Sequence, residues 1–405
     1  MHGKSVLMQK RKFASDSIFG IAASAIPIAA LQLVIFPLLS KRVGENNFGF
    51  IITVVGIATI IGSTFGSSIN NIRLVSNLEY EKEQVTGDFS IILWICRSIG
   101  FASSLICAFI FRNSFSIADI ILFSIIPIIN MSSLYYLTKF HLSLDYSKIF
   151  IISIIESAGY FSGYGLFILT GYWQLIYIFG YGFCLLFHVL LRNPLISEPI
   201  HTTRLFKKTS RHMFVLTVAS LLASTLTYID RLLLYPMLGG ESVSVYYVAT
   251  VIGKIIPLAA GPISGVMLSY FAKMSHLTKR SILMILALSG LAGIFGYFVC
   301  IIINPPLLTL LYPSVAGSAL QYIHVTTLTS MVTMICSMLS PIVLKFYNIN
   351  WQIKIHTINI LLYLGLSLLL LNAFGLMGFC VGALITTVIR FVFMSAICLY
   401  RKDKA

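Results

Sequence analysis

The sequence predicts an all-α membrane protein of about twelve transmembrane helices, arranged as two six-helix lobes. Hydrophobic residues make up 58% of the 405 residues and charged residues only 10%, whereas soluble domains have about 45–50% and about 25%. Many apolar runs reach the ~20 residues that a helix needs to cross a bilayer. A weak internal repeat also divides the chain near its middle.

Twelve apolar segments are predicted to span the membrane. Their approximate bounds are 15–40, 48–69, 90–111, 117–137, 149–170, 173–191, 213–236, 243–269, 281–303, 319–344, 353–372 and 375–400. An even number of spans puts both termini on one side. Of the 28 Lys and Arg residues, 21 lie on the side of the termini, 3 on the opposite side and 4 within spans. Because translocation disfavours short basic loops, both termini are predicted to be cytoplasmic.

The internal repeat joins two turns of similar sequence. Gly44-Glu45 and Gly240-Glu241 lie 196 positions apart, each between two apolar runs. An offset close to half the chain predicts a duplication of six spans, a symmetry common in transporters.

The repeat and the loop charges together predict the domain organisation. Residues 1–195 form an N-terminal lobe with spans one to six, and residues 213–405 form a C-terminal lobe with spans seven to twelve. Residues 196–212 form the cytoplasmic linker, part of a strongly basic segment that also suits contact with anionic lipid. The longest external connection, 304–317, contains three prolines and is predicted to be a capping loop.

Six ionisable residues within the predicted spans are the candidate functional residues, since each costs roughly 2.5–3.5 kcal/mol at the centre of a span. Two bases lie near mid-span, and the others lie closer to a membrane edge, where Arg side chains can extend to the surface. Basic groups outnumber acidic groups four to two, so a cavity that they enclose would carry net positive charge. The six are Arg97, Glu156, Asp230, Arg231, Lys254 and Arg390.

Polar residues recur on one face of several spans. In the seventh span they follow a spacing of three and four that ends at a base, and in the tenth the same spacing lacks a charge. For the stripes that contain a base we favour a hydrated cavity, and for the tenth span we favour close helix packing. The two stripes are Thr217, Ser220, Ser224, Thr227 and Arg231, and Thr326, Ser330, Thr333, Ser337 and Ser340.

Several classes of protein are excluded or disfavoured by what the sequence lacks. It has no phosphate-binding P-loop and no His, Cys and acidic cluster with metal-ligand spacing, so no enzyme activity and no cofactor are predicted. The seven cysteines include no Cys-x-x-Cys pair and are expected to be free core residues. The net charge of +15 sits in short loops between spans, so nucleic acid is not expected as a partner.

The chain resembles polysaccharide repeat-unit flippases of the O-antigen (Wzx-type) family, within the multidrug/oligosaccharidyl-lipid/polysaccharide exporter superfamily. The resemblance extends over the whole length. It rests on twelve spans in two lobes and on Asp230-Arg231 near the outer end of the seventh span. A Leu-rich stretch and a Gly-Glu turn into Tyr246-Tyr247 follow that pair.

The resemblance implies a V-shaped pair of six-helix bundles around a central cavity, in the inner membrane of the cell. Its substrate would be a polyprenyl-pyrophosphate-linked oligosaccharide for O-antigen, lipopolysaccharide or another surface polysaccharide, moved from the cytoplasmic to the periplasmic leaflet by alternating access. The bases Arg97, Arg231, Lys254 and Arg390 would bind the anionic substrate. The remaining expected partners are membrane lipids, a polysaccharide polymerase and a chain-length regulator.

Alternatives remain open. Asp230 or Glu156 could carry a coupling ion, or could pair with one of the bases. A multidrug or organic-cation antiporter of the same superfamily would favour acidic groups in the cavity, where this chain has more bases. An O-antigen polymerase usually has a large charged external loop, and residues 304–317 contain no charge. The absence of Arg from the interior of the first span makes a lipid II flippase less favoured.

Overall fold

A computed structural model describes residues 18–272, 274, 277–347 and 350–399, apart from the side chains of residues 256–262, 265–266, 268–270, 272, 350 and 352–353. These residues form helices joined by short connections and include no β-strand. Apolar sequence with few turn signals allows this, because every backbone hydrogen bond is made within the helix itself.

The helices are numbered in chain order. Two long helices each contain a glycine with non-helical backbone angles, Gly239 and Gly375, and are counted as two helices apiece. The bounds are α1 Ile18–Val43, α2 Glu45–Glu83, α3 Asp88–Ile110, α4 Ile117–Leu142, α5 Tyr146–Thr170, α6 Gln174–Leu190, α7 and α8 in Phe206–Ala272, α9 Lys279–Leu311, α10 Ile323–Phe346, and α11 and α12 in Asn350–Leu399.

The described helices confirm the predicted fold class. Nine are long and apolar enough to cross a membrane by length and composition, and Gln174–Leu190 is a shorter apolar helix. Two of the nine are the interrupted helices, each of which counts as two, so with the shorter helix the described chain provides about twelve crossings.

Two connections differ from the prediction. Helix α2 ends at Glu83 instead of near residue 69, because polar residues continue the helix: the Asn77 amide donates to the Glu81 carboxylate, one turn on, at 2.7 Å. The predicted capping loop is also wrong. Helix α9 continues through Pro305 and Pro306 to Leu311, and a short helix, Pro313–Leu320, follows. Proline removes one hydrogen bond without ending a membrane helix, because neighbouring groups satisfy the freed carbonyl.

The two turns of the sequence repeat lie in direct contact. Gly44 and Gly239 both adopt positive φ angles, of 80° and 77°, which L-residues with a side chain rarely adopt. A Cβ on Gly49 would lie 1.7 Å from the Gly240 carbonyl oxygen, so the first turns of α2 and α8 touch backbone to backbone. Gly44 therefore corresponds in conformation to Gly239, whereas the sequence alignment pairs it with Gly240, one position later.

Contacts divide the chain into two compact units. The first comprises the described residues up to Phe36 together with Phe50–Pro236, and the second comprises Pro37–Gly49 together with the described residues from Met237 onward. The first unit therefore contains α7, and the second contains the end of α1. The predicted lobe boundary at residues 196–212 stays a prediction, because this division follows contacts rather than the repeat.

Each unit has its own hydrophobic core. In the first, Ile69, Phe89 and Tyr135 are almost fully buried in one cluster. In the second, Cys336, Leu339 and Ile342 are almost fully buried in another cluster. All seven cysteines are free, as predicted, and six of them are buried, so they act as small apolar core residues.

Candidate functional site

The predicted acid-base pair lies inside the first unit. Asp230 and Arg231 are only 5% and 9% exposed, so neither side chain extends to the surface as their position near a span end would allow. The Arg231 backbone N–H donates to the Asp230 carboxylate at 2.9 Å. The Arg231 guanidinium donates to the Ile52 carbonyl of α2 at 3.4 Å and lies 5.3 Å from the ring centre of Tyr228. These contacts hold the base against α2.

Arg97 is half-buried between α3 and α4. Its guanidinium donates to the hydroxyls of Ser132 at 3.0 Å and Tyr136 at 3.2 Å, and it lies 5.3 Å from the ring centre of Trp94. The partners are neutral, so the positive charge is held in place without being cancelled by them.

Glu156 lies on α5 among tyrosines. The Tyr160 hydroxyl donates to its carboxylate at 2.5 Å, one helical turn away. The Tyr160 ring in turn packs edge-on against Tyr177 and Tyr181 of α6, with ring centres 6.0 and 5.9 Å apart. The carboxylate of Glu156 is therefore held beside a cluster of tyrosines, with Tyr160 as its hydrogen-bond donor.

The two mid-span bases lie in the second unit. The Lys254 ammonium on α8 lies 5.7 Å from the ring centre of Tyr246. Arg390 lines a cavity of about 90 Å³ between α11 and α12, together with Asn359 and Thr386. Its buried Nε has no hydrogen-bond partner within the described residues. A buried guanidinium N–H without a hydrogen-bond partner is costly, which marks Arg390 as a candidate functional residue.

The polar stripes pack helix against helix where their contacts are described. In the tenth span, Thr326 donates to the Ala249 carbonyl of α8 at 2.9 Å, which confirms the packing interpretation there. In the seventh span, the hydroxyls of Ser220 and Ser224 lie 3.0 and 3.3 Å from those of Ser68 and Ser63 on α2. These two serines therefore contact α2, which their spacing did not reveal, and the hydrated-cavity interpretation of the stripe stays a prediction.

A buried ion pair that the sequence did not predict joins α2 to the segment before α7. Arg73 and Glu198 lie 2.5 Å apart with side chains 9% and 10% exposed. The Arg73 guanidinium also lies 4.4 Å from the ring centre of Phe89, and the Tyr135 hydroxyl donates to Glu198 at 3.4 Å. Both residues looked like ordinary loop charges, and their separation of 125 positions hid the pairing.

Asp88 forms a second unpredicted polar centre beside this ion pair. It is fully buried and accepts from the Tyr80 hydroxyl and from the backbone N–H and hydroxyl of Thr203, each at 2.6 Å. The Tyr80 hydroxyl also lies 2.8 Å from that of Thr209. The predicted linker is therefore fastened to the first unit at several points.

Charge is distributed unevenly between the two units. The described part of the first unit contains nine carboxylates and twelve Lys or Arg residues. The described part of the second unit contains eight Lys or Arg residues but only Glu45 and Glu241 as carboxylates, both beside the glycine turns. The bases of the second unit are Lys41, Arg42, Lys254, Lys279, Arg280, Lys345, Lys354 and Arg390. The same part of the chain that the structure describes holds no group of three His, Cys, Asp or Glu suited to a metal ion.

Comparison with known proteins rests on structure. No family model matches the sequence, and no curated protein matches it. The lipid II flippase MurJ in an inward closed conformation is similar, with a TM-score of 0.68 and 17% identity over 95% of this chain and 87% of that one. An inward-facing multidrug resistance MATE transporter of the MOP superfamily gives a TM-score of 0.65 and 12% identity over 96% of each chain.

A third similar structure is the Vibrio cholerae MATE transporter VcmN in the bent form, with a TM-score of 0.58 and 13% identity over 96% of this chain and 98% of that one. The chain has the fold of these membrane transporters. Identities this low show the fold alone. They leave the substrate and the roles of the six candidate residues to be argued from the chain itself.

Proposed function

We propose that this protein is a flippase that moves polyprenyl-pyrophosphate-linked oligosaccharide repeat units from the cytoplasmic to the periplasmic leaflet of the inner membrane by alternating access. The transporter fold supports movement of a substrate across the membrane. The excess of bases over acids in the second unit, with Lys254 and Arg390 near mid-span, is the observation that favours an anionic substrate over a cationic one.

Arg390 provides the most specific support for the proposal. Arg390 lines a cavity, and its Nε is buried and has no hydrogen-bond partner among the described residues. A pyrophosphate or acidic sugar oxygen would accept that hydrogen bond, and charge-assisted bonds of this kind are roughly twice as strong as neutral ones. Lys254 provides further positive charge in the same unit, and the roles of Arg97 and Arg231 in substrate binding stay predictions.

Variants of the two mid-span bases test the proposal. Lys254→Ala and Arg390→Ala should each reduce export about tenfold or more, because a hydrogen bond to a charged group contributes about 1.5–3 kcal/mol. Arg390→Lys should be milder, since it keeps the charge. Lys354→Ala is the matched control, because Lys354 is an exposed base of the same unit. Normal export by both Ala variants at normal membrane levels would contradict the role of these bases.

Removal of the protein from its native cell tests the function itself. Repeat units should accumulate on the cytoplasmic leaflet, and surface polysaccharide should be lost. Repeat units that cross the membrane but stay unpolymerised would instead indicate a polymerase. A polymerase and a chain-length regulator are candidate protein partners within this proposal.

A multidrug or organic-cation antiporter is the second candidate, favoured by the buried acids Glu156 and Asp230 and by the fold that the chain shares with MATE transporters. Unchanged polysaccharide together with new sensitivity to toxic cations would support it. Within the flippase proposal, the same two acids are candidates for carrying a coupling ion. If purified protein in vesicles exports the substrate at the same rate with and without a proton or sodium gradient, the two acids do not have that role.

A further inference from the structure

An apolar cleft lies within the second unit, between α8, α9 and α10. Its volume is about 570 Å³, within the ~300–1,000 Å³ typical of ligand pockets and far larger than the voids of an ordinary packed interior. Methionines line it from two of the three helices, and methionine adapts its shape to irregular apolar ligands. The lining includes Met267, Leu288, Ala292, Phe295, Met334 and Met338.

Among the described residues that line it, the cleft offers a ligand no free hydrogen-bonding side chain. Ser289 is the one polar side chain among its lining residues, and its hydroxyl donates to the Leu286 carbonyl of its own helix at 3.2 Å. A sugar or pyrophosphate would lose its hydrogen bonds to water there without replacement, which is unfavourable. Hydrocarbon carries no such cost.

The shape of the cleft fits a single chain. Its lining follows α9 from Ile285 to Val299, about 21 Å at 1.5 Å per residue. A cleft of this length and volume can hold an extended hydrocarbon chain that lies along the helix.

The cleft also lies where hydrocarbon is present. Helix α9 has a mean hydropathy of 2.3 over its most apolar window, and the lining begins six residues after Lys279, the predicted cytoplasmic end of the span. A cleft of ~21 Å therefore begins about 9 Å inside that end and runs through the middle of the bilayer to its opposite side, since the core is about 30 Å thick.

We infer that this cleft binds the polyprenyl tail of the lipid-linked substrate, an inference that rests on the proposed function. The cleft takes up part of the tail as an extended chain along α9, while the anionic headgroup is bound elsewhere by the bases. Binding the tail to one helix surface keeps the lipid attached to the second unit.

Filling the cleft tests the inference. The full-length protein is placed in nanodiscs of phosphatidylethanolamine and phosphatidylglycerol with a photoreactive polyprenyl monophosphate that carries no sugar. Ala292→Trp fills the cleft, and Leu291→Trp is the matched control, because Leu291 is 64% exposed on the same helix and is not among the lining residues. Labelling should weaken about tenfold in the first and stay unchanged in the second, since losing about two buried CH₂ contacts gives this factor.

A second filling variant, Met338→Trp on α10, repeats the test if Ala292→Trp does not fold. Equal labelling of the filled and control variants would overturn the inference. The inference would also be overturned if a phospholipid with the same photoreactive group labels the cleft and polyprenyl monophosphate does not compete with it. The probe reports tail binding without export, so unchanged surface polysaccharide in cells that lack the protein would overturn the proposed function independently of the labelling.

Discussion

The two units bury charge in different ways. In the first, charged groups have specific partners: Arg73 pairs with Glu198, Asp88 accepts three hydrogen bonds, and Arg97 donates to two hydroxyls. In the second, the described residues include eight bases and two carboxylates, and the Nε of Arg390 has no partner among them. The difference suggests that the first unit uses its charges for structure and that the second keeps positive charge for a ligand.

Breaking the buried ion pair tests the structural half of this comparison and should have the largest effect. Arg73→Ala should lower the free energy of unfolding by about 3–5 kcal/mol, because it leaves Glu198 buried without its partner. Thermal unfolding of the purified protein in detergent measures the loss. Arg204→Ala is the control: its ion pair with Glu83 is largely exposed, at 74% and 36%, and should contribute at most about 1 kcal/mol. Equal shifts in the two variants would contradict a structural role for the first unit's buried pair.

The sequence was sufficient to predict the fold, but it was insufficient to predict which side chains contact each other. Hydropathy over ~20 residues reports the membrane crossing directly, so the span count and the all-α class could be predicted. The spacing of Ser220 and Ser224 predicted one helix face, but only the structure shows Ser68 and Ser63 opposite them. Arg73 and Glu198 are far apart in sequence, and no local pattern relates them.

The candidate site also could be predicted only in part from the sequence. The cost of burying a charge in a membrane marked Arg390 and Lys254 as unusual, and this needed only their position within a span. That Arg390 lies between α11 and α12 beside Asn359 depends on the rotation of both helices, which spacing does not determine. The apolar cleft left no signal at all, since its lining residues look like any lipid-facing surface.

Helices α2 and α8 make a close backbone contact in the second unit, and Gly49→Ala tests its contribution to stability. The added Cβ would lie 1.7 Å from the Gly240 carbonyl oxygen, so α2 and α8 must separate at their first turns. We expect a loss of about 1–3 kcal/mol in the free energy of unfolding, or more if the backbone cannot shift.

Gly290→Ala on α9 is the control for that variant. No atom lies within 4 Å of the added Cβ, and alanine in a helix interior is favoured over glycine by about 0.5–1 kcal/mol. A loss of unfolding free energy in Gly49→Ala together with a gain in Gly290→Ala would show that the close contact, and not glycine in general, stabilises the turn. A Gly49→Ala protein as stable as the parent would mean that the two turns do not hold the second unit together.

The variant with the smallest expected effect tests whether a serine contact in the first unit serves helix packing or transport. Ser220→Ala removes one hydroxyl from the contact between α7 and α2, but the Ser68 hydroxyl lies 2.6 Å from the Thr64 carbonyl and keeps that acceptor. The free energy of unfolding should therefore fall by only about 0.5 kcal/mol, the low end for a single hydrogen bond, and export should be unchanged. A large loss of export at normal stability would instead place Ser220 on the path of the substrate. The first unit would then share in binding, and the contrast between a structural unit and a ligand-binding unit would no longer hold.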